Sequence, residues 1–66
     1  MLFVEFADDT GNNHILNIGN TCFKKRHNGP WCVYLATGND FCCTITDETM
    51  ERIRAIMRRE GVYNCV

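Results

Sequence analysis

Only one stretch of this chain carries helical periodicity, and it comes last. Met50, Ile53, Ile56 and Met57 recur at the spacing of a single helix face. Asp47 or Thr46 can cap its start, and Glu48 and Glu51 lie in or near its first turn. Arg58 and Arg59 fall in its last turn, where the helix dipole favours cations, and Gly61 ends it. Everything before this stretch is broken every few residues by turn formers, so it must fold as short strands. A lone helix then has only a sheet on which to bury its stripe. The expected fold class is α+β: an antiparallel β-meander of about four to five short strands with one C-terminal α-helix packed on one face.

The strands read as follows. Residues 2–7 set Leu2, Val4 and Phe6 on one face and Phe3 and Glu5 on the other. Asp8-Asp9-Thr10-Gly11-Asn12-Asn13 is a turn by composition. Residues 14–18 restart an apolar alternation, Gly19-Asn20 interrupts it, and residues 21–26 make a further strand. His27-Asn28-Gly29-Pro30 is the strongest turn signal, although Pro30 lacks the N–H that a tight two-residue turn would use. Residues 31–37 and 41–46 are strands joined by a Gly38-Asn39 turn.

A chain of 66 residues is one domain, 1–66, and buries only about 60% of the surface its unfolded form exposes. With 45% hydrophobic residues and a net charge of −1 the composition is globular, without the basic excess of a dedicated nucleic-acid binder. The opening MLFVEFA is apolar but short, contains Glu5, and has neither a basic flank nor a cleavage site, so it does not read as a signal peptide. No run approaches the roughly 20 apolar residues of a membrane helix. Five cysteines, an odd number, fit poorly with a secreted disulfide framework, so reduced thiols and a cytoplasmic location are expected. A start at Met1 reads as a complete small gene product.

The two hairpin turns suggest a register. Arg26 opposite Trp31 sets Cys22 against Leu35 and Phe23 against Tyr34; Thr37 opposite Asp40 sets Leu35 against Cys42 and Tyr34 against Cys43. The predicted core face then holds Phe23, Cys32, Tyr34, Ala36, Phe41, Cys43 and Ile45, with Lys25 at its edge. The other face holds Cys22, Lys24, Arg26, Trp31, Val33, Leu35, Cys42, Thr44 and Thr46. A slip of one residue would exchange these faces. In a regular strand Cys42 and Cys43 point to opposite sides and cannot share a metal. Cys65 lies in the tail, within reach of many positions.

No chemical constellation stands out. Structural zinc sites favour C-x2-C knuckles, and this chain has none; buried thiols and solvated histidines account for its five Cys and two His. Neither His14 nor His27 is placed beside Cys42 or Cys43, as a nucleophilic thiol would need. Asp8-Asp9 and Asp47-Glu48 have structural explanations in a turn and a helix start. No catalytic residue, metal or cofactor is expected, and the chain does not read as an enzyme.

Residues 2–53 resemble, in layout, the small FlbD-type flagellar and swarming-motility proteins. The similarity lies in "VEF", in "ILN" with Asn17, in "CFKK", in "WCVYLATGNDFCCTI" and in "DETMERI". The cysteines, the "KKRHNGP" loop and the arginine-rich helix depart from that pattern. The resemblance implies a β-rich sheet with a C-terminal helix and a regulatory, non-enzymatic role, and it carries no site residues. Small bacterial and phage accessory proteins, including inhibitors of larger cellular machines, share this build.

The expectation is therefore a protein-binding regulator or inhibitor. Its surface would comprise Lys24, Arg26, Trp31, Val33 and Leu35 on the sheet, with Arg52 and Arg58 on the helix. A homodimer through that face or an edge strand is the simplest partner. The alternative is a nucleic-acid-binding regulator using residues 24–26 and the helix arginines. A zinc or thiol-redox module ranks third.

Overall fold

The computed structural model describes residues 2–36 and 40–62. Strand β1 (Phe3–Ala7) pairs antiparallel with β2 (Asn13–Asn17), placing Val4 opposite Leu16 and Phe6 opposite His14. Alternation sends Val4 and Phe6 into the core and leaves Phe3 outside. The turn between these strands is organised by Asp8. Its N–H donates to the Asn12 carbonyl, and its Oδ1 accepts from the N–H groups of Thr10 and Asn12. Gly11 takes a φ of 92°, which a side chain would resist.

A single 3-10 turn, Ile18–Asn20, then redirects the chain. The Asn17 side chain accepts from Gly19 N–H at 3.1 Å, and the Thr21 hydroxyl donates to the Asn17 carbonyl at 2.8 Å. Beyond it β3 (Thr21–Lys25), β4 (Trp31–Leu35) and β5 (Asp40–Ile45) form an antiparallel sheet in that order. The expected α+β class is present. The strands are divided between a two-stranded and a three-stranded sheet rather than joined in one meander. Asp9 N–H donates to the Thr44 carbonyl at 3.0 Å and the Thr44 hydroxyl donates to the Asp9 carboxylate, so the first hairpin's turn docks on the free edge of β5.

The register differs from expectation by one residue. Trp31 stands opposite Lys25, Val33 opposite Phe23 and Tyr34 opposite Cys22. Pro30 explains the difference: its carbonyl accepts from Arg26 N–H, a pairing that needs no donor from proline. Gly29 N–H closes the loop onto the Arg26 carbonyl, with Asn28 at a φ of 56°. The next hairpin is shifted as well, with Leu35 opposite Asp40 and Tyr34 opposite Phe41. The Gly38-Asn39 turn lies outside the described residues.

A one-residue shift exchanges the faces of β4. Val33 joins Phe23, Cys43 and Ile45 under the helix, while Cys32 and Tyr34 turn to the opposite side. Trp31 packs at the core margin, and Leu35 follows Val33 by alternation. The expected positions of Phe23, Cys43 and Ile45 in the core, and of Lys24 away from it, are those observed.

Helix α1 (Asp47–Glu60) buries Met50, Ile53 and Met57. Thr46 is its N-cap, accepting from Thr49 N–H at 3.2 Å. Gly61 adopts the left-handed conformation at φ 70°, Gly61 N–H reaches the Arg58 carbonyl, and Val62 N–H reaches that of Met57. Val62 also packs on the core, completing the hydrogen-bonded and apolar closure of a glycine-ended helix. No helix of the described residues is long and apolar enough to cross a membrane.

Candidate functional site

The pairing of β5 breaks in its middle. Phe41 stands opposite Tyr34 and Cys43 opposite Val33, adjacent residues on β4, so Cys42 is an extra residue in the strand. Such a bulge bends the strand and re-aims side chains that strict alternation would separate. The expectation that Cys42 and Cys43 point apart holds only for a regular strand, and this strand is irregular at that point. The two thiol sulfurs and a ring nitrogen of His14 lie within 4.8 Å of one another.

His14 arrives from β2, on the inner face of the first hairpin opposite Phe6. Its Nδ1 is 3.7 Å from Cys42 Sγ, and its Nε2 is 2.7 Å from Asp8 Oδ2. The Asp8 carboxyl is held well below the usual carboxylate range, first by His14 and then by Thr10. Thr10 and Asn12 saturate Oδ1, at 2.7–3.0 Å, leaving Oδ2 for the imidazole. With the ring neutral, donation from Nε2–H to an ionised Asp8 leaves Nδ1 as the acceptor that faces the Cys42 thiol. Cys43 sits deeper, and burial, reinforced by its hydrogen bond with Cys42, pushes its thiol up to about 12. A cavity of about 300 Å3 opens beside the group, its lining including Asp9, Thr10, Phe41 and Thr44 as well as the two cysteines.

This arrangement supplies soft sulfur and imidazole ligands with an oriented ring. It also sets a thiol, a base and an orienting carboxylate in sequence. Sequence reasoning did not find it, because His14 and Cys42 meet only through docking of the Asp8–Asn12 turn on β5. The signals within reach were the adjacent cysteines and the short distance in sequence from Asp8 to His14.

The predicted binding residues fall into separate places. Lys24 lies over the Tyr34 ring, 5.2 Å from its centroid, and interactions with Tyr34 and then Cys32 raise the pKa of Arg26. Val33 is fully buried and belongs to the core, a correction that follows from the register. Trp31 is engaged on the helix side, beneath Arg54 at 4.9 Å and beside Lys25 at 6.0 Å. Lys25 also pairs with Asp47 at 3.0 Å and, with the Trp31 indole, keeps that carboxyl low. Leu35 is half-buried on the helix side. Arg52 and Arg58 are exposed on the helix, across the sheet from Lys24 and Arg26. The seven residues therefore do not form one surface.

Tyr34 and Phe41 take the place expected of Trp31, Val33 and Leu35. Their rings meet edge to face with centroids 5.7 Å apart, and Phe41 is 56% exposed. Among the thiols Cys32, Cys42 and Cys43 are free, whereas Cys22 is held in a disulfide, against the expectation of reduced thiols throughout. Cys65 lies outside the described residues.

Fold and site together define a small α+β domain with a histidine–dithiol cluster at the junction of its two sheets. No family model, curated protein or solved structure matches the chain, so the FlbD-type resemblance rests on its short motifs.

Proposed function

We propose that the protein is a non-enzymatic regulator or inhibitor that acts by binding another protein. The observation that carries this reading is the cluster of Tyr34, Phe41, Lys24 and Arg26 on the sheet face turned away from the helix. Phe41 remains 56% exposed although its ring is already ordered against Tyr34. An aromatic already ordered against a neighbouring ring loses little conformational entropy on binding, which is what interface anchors require. The regulatory role also agrees with what the FlbD-type resemblance implies. The first hairpin adds exposed Phe3 and Ile15 on its outer face, a surface suited to a second copy.

The test is a pull-down from the source organism with the parent protein and with Phe41→Ser/Lys24→Glu. A partner retained by the parent and lost by the folded variant supports the reading. A partner held equally by both overturns the proposed face.

The same cluster favours one second reading. Rings beside cations on the surface of a sheet form a platform on which single-stranded nucleic acid can stack. That reading requires affinity that falls steeply with salt, and no complex with oligonucleotides at low ionic strength removes it. For location we propose the cytoplasm, on the strength of three free thiols. The Cys22 disulfide is the feature that favours an oxidising compartment instead. Trapping thiols in intact cells before lysis decides between the two.

A further inference from the structure

We infer that His14, Cys42 and Cys43 form a binding site for a zinc-class divalent metal ion, with Asp8 as the residue that orients the histidine. The inference is independent of the protein-binding face.

Three observations converge. Three potential ligand atoms from two sheets lie within 4.8 Å of one another, so an inward shift of about 1 Å at most brings them to the roughly 3.3–3.8 Å that separates donors around a tetrahedral ion with bonds of about 2.0–2.3 Å. The imidazole is oriented for ligation, with Nε2 held by Asp8 at 2.7 Å and Nδ1 the nitrogen that faces Cys42 Sγ at 3.7 Å. Metal-bound histidines commonly hold their other nitrogen against a carboxylate in this way. The β-bulge at Cys42 supplies the third observation, since it aims adjacent thiols at one point, as a knuckle does in longer motifs.

A nucleophilic Cys42 would explain the histidine and the carboxylate but has no need of the second thiol. A metal uses all three donors. Two sulfurs and one nitrogen select zinc-class ions over calcium or magnesium. Binding releases one proton from each thiol, so two thiolates balance the charge of the dication and the half-buried site stays neutral. Three protein ligands leave a fourth position, and the cavity that Cys42 and Cys43 line with Phe41 and Thr44 gives room for it. That position takes a water or a small donor molecule.

The test is a titration of the metal-stripped protein, its disulfide intact, with Co2+ under anaerobic conditions. One equivalent is expected to produce a sulfur-to-cobalt charge-transfer band and tetrahedral d–d absorption, both erased by stoichiometric Zn2+. Cys42→Ser and His14→Ala are expected to lose the tetrahedral spectrum, while Cys32→Ser keeps it. Asp8→Asn, which preserves all three ligands, is expected to weaken affinity by about 10–100-fold. Circular dichroism establishes that each variant is folded. Absence of the charge-transfer band in the parent protein overturns the site without recourse to any variant. An unchanged spectrum in folded Cys42→Ser overturns it equally.

Discussion

Cys42 Sγ lies 3.7 Å from His14 Nδ1, although one residue sits on the fifth strand and the other on the second. The contact exists because the turn after β1 is pinned to the edge of β5 by Asp9 and Thr44. It gathers a histidine, two thiols and a carboxylate at the junction between two sheets.

The free thiols differ in access, which predicts an order of modification. Cys42 is half-buried, whereas Cys32 and Cys43 are 1% and 6% exposed. Brief treatment of the native protein with iodoacetamide is expected to label Cys42 first. Unfolding without reductant should raise the count to at least three, and unfolding with reductant to five. Peptide mass mapping checks both the order and the counts. Labelling of Cys32 ahead of Cys42 would contradict the bulge geometry.

The register is testable by charge. Val33 is fully buried beneath the helix, whereas Tyr34 is half-buried on the opposite face. Val33→Asp buries an unpaired carboxylate, a change that costs several kcal/mol and is expected to unfold a domain of this size. Tyr34→Asp is expected to leave a folded protein with a modestly lower Tm. Thermal denaturation of both variants decides the matter, and the reverse ranking would restore the register expected from the turns.

Asp8 shapes the acid limb of stability. Its folded pKa lies below the unfolded value of about 4, so its contribution is complete above about pH 4. It is then lost as pH falls toward the folded value. Asp8→Asn is expected to be less stable at neutral pH and to show a flatter decline below about pH 4. Melting curves across an acid series measure this, and parallel declines would show that the His14 and Thr10 contacts contribute nothing.

Helix α1 depends on its ends. Thr46→Ala removes the acceptor for Thr49 N–H and is expected to cost about 1 kcal/mol, or roughly 4–8 °C in Tm for a domain of this size. Gly61→Ala is expected to cost about 1–2 kcal/mol, since Gly61 holds a left-handed φ of 70°. Serine at position 46 should restore most of the cap, which separates capping from side-chain packing.

The amino-acid sequence by itself determined where the elements lie and what ends them. Periodicity placed Met50, Ile53 and Met57 on the buried stripe, Thr46 and Gly61 marked the helix ends, and alternation sent Val4 and Phe6 inward. These are local properties, set by backbone geometry within a few residues. Tertiary structure decided which side of the sheet β4 shows, because side chains alternate with a period of two and one residue of loop length inverts them. Pro30, offering a carbonyl in place of the N–H it lacks, shortened the loop and carried Val33 into the core. Only the folded chain brought His14 to Cys42 and turned Cys42 and Cys43 toward one point. That meeting depends on a bulge in one strand and the docking of a distant turn, and no spacing along the chain encodes either.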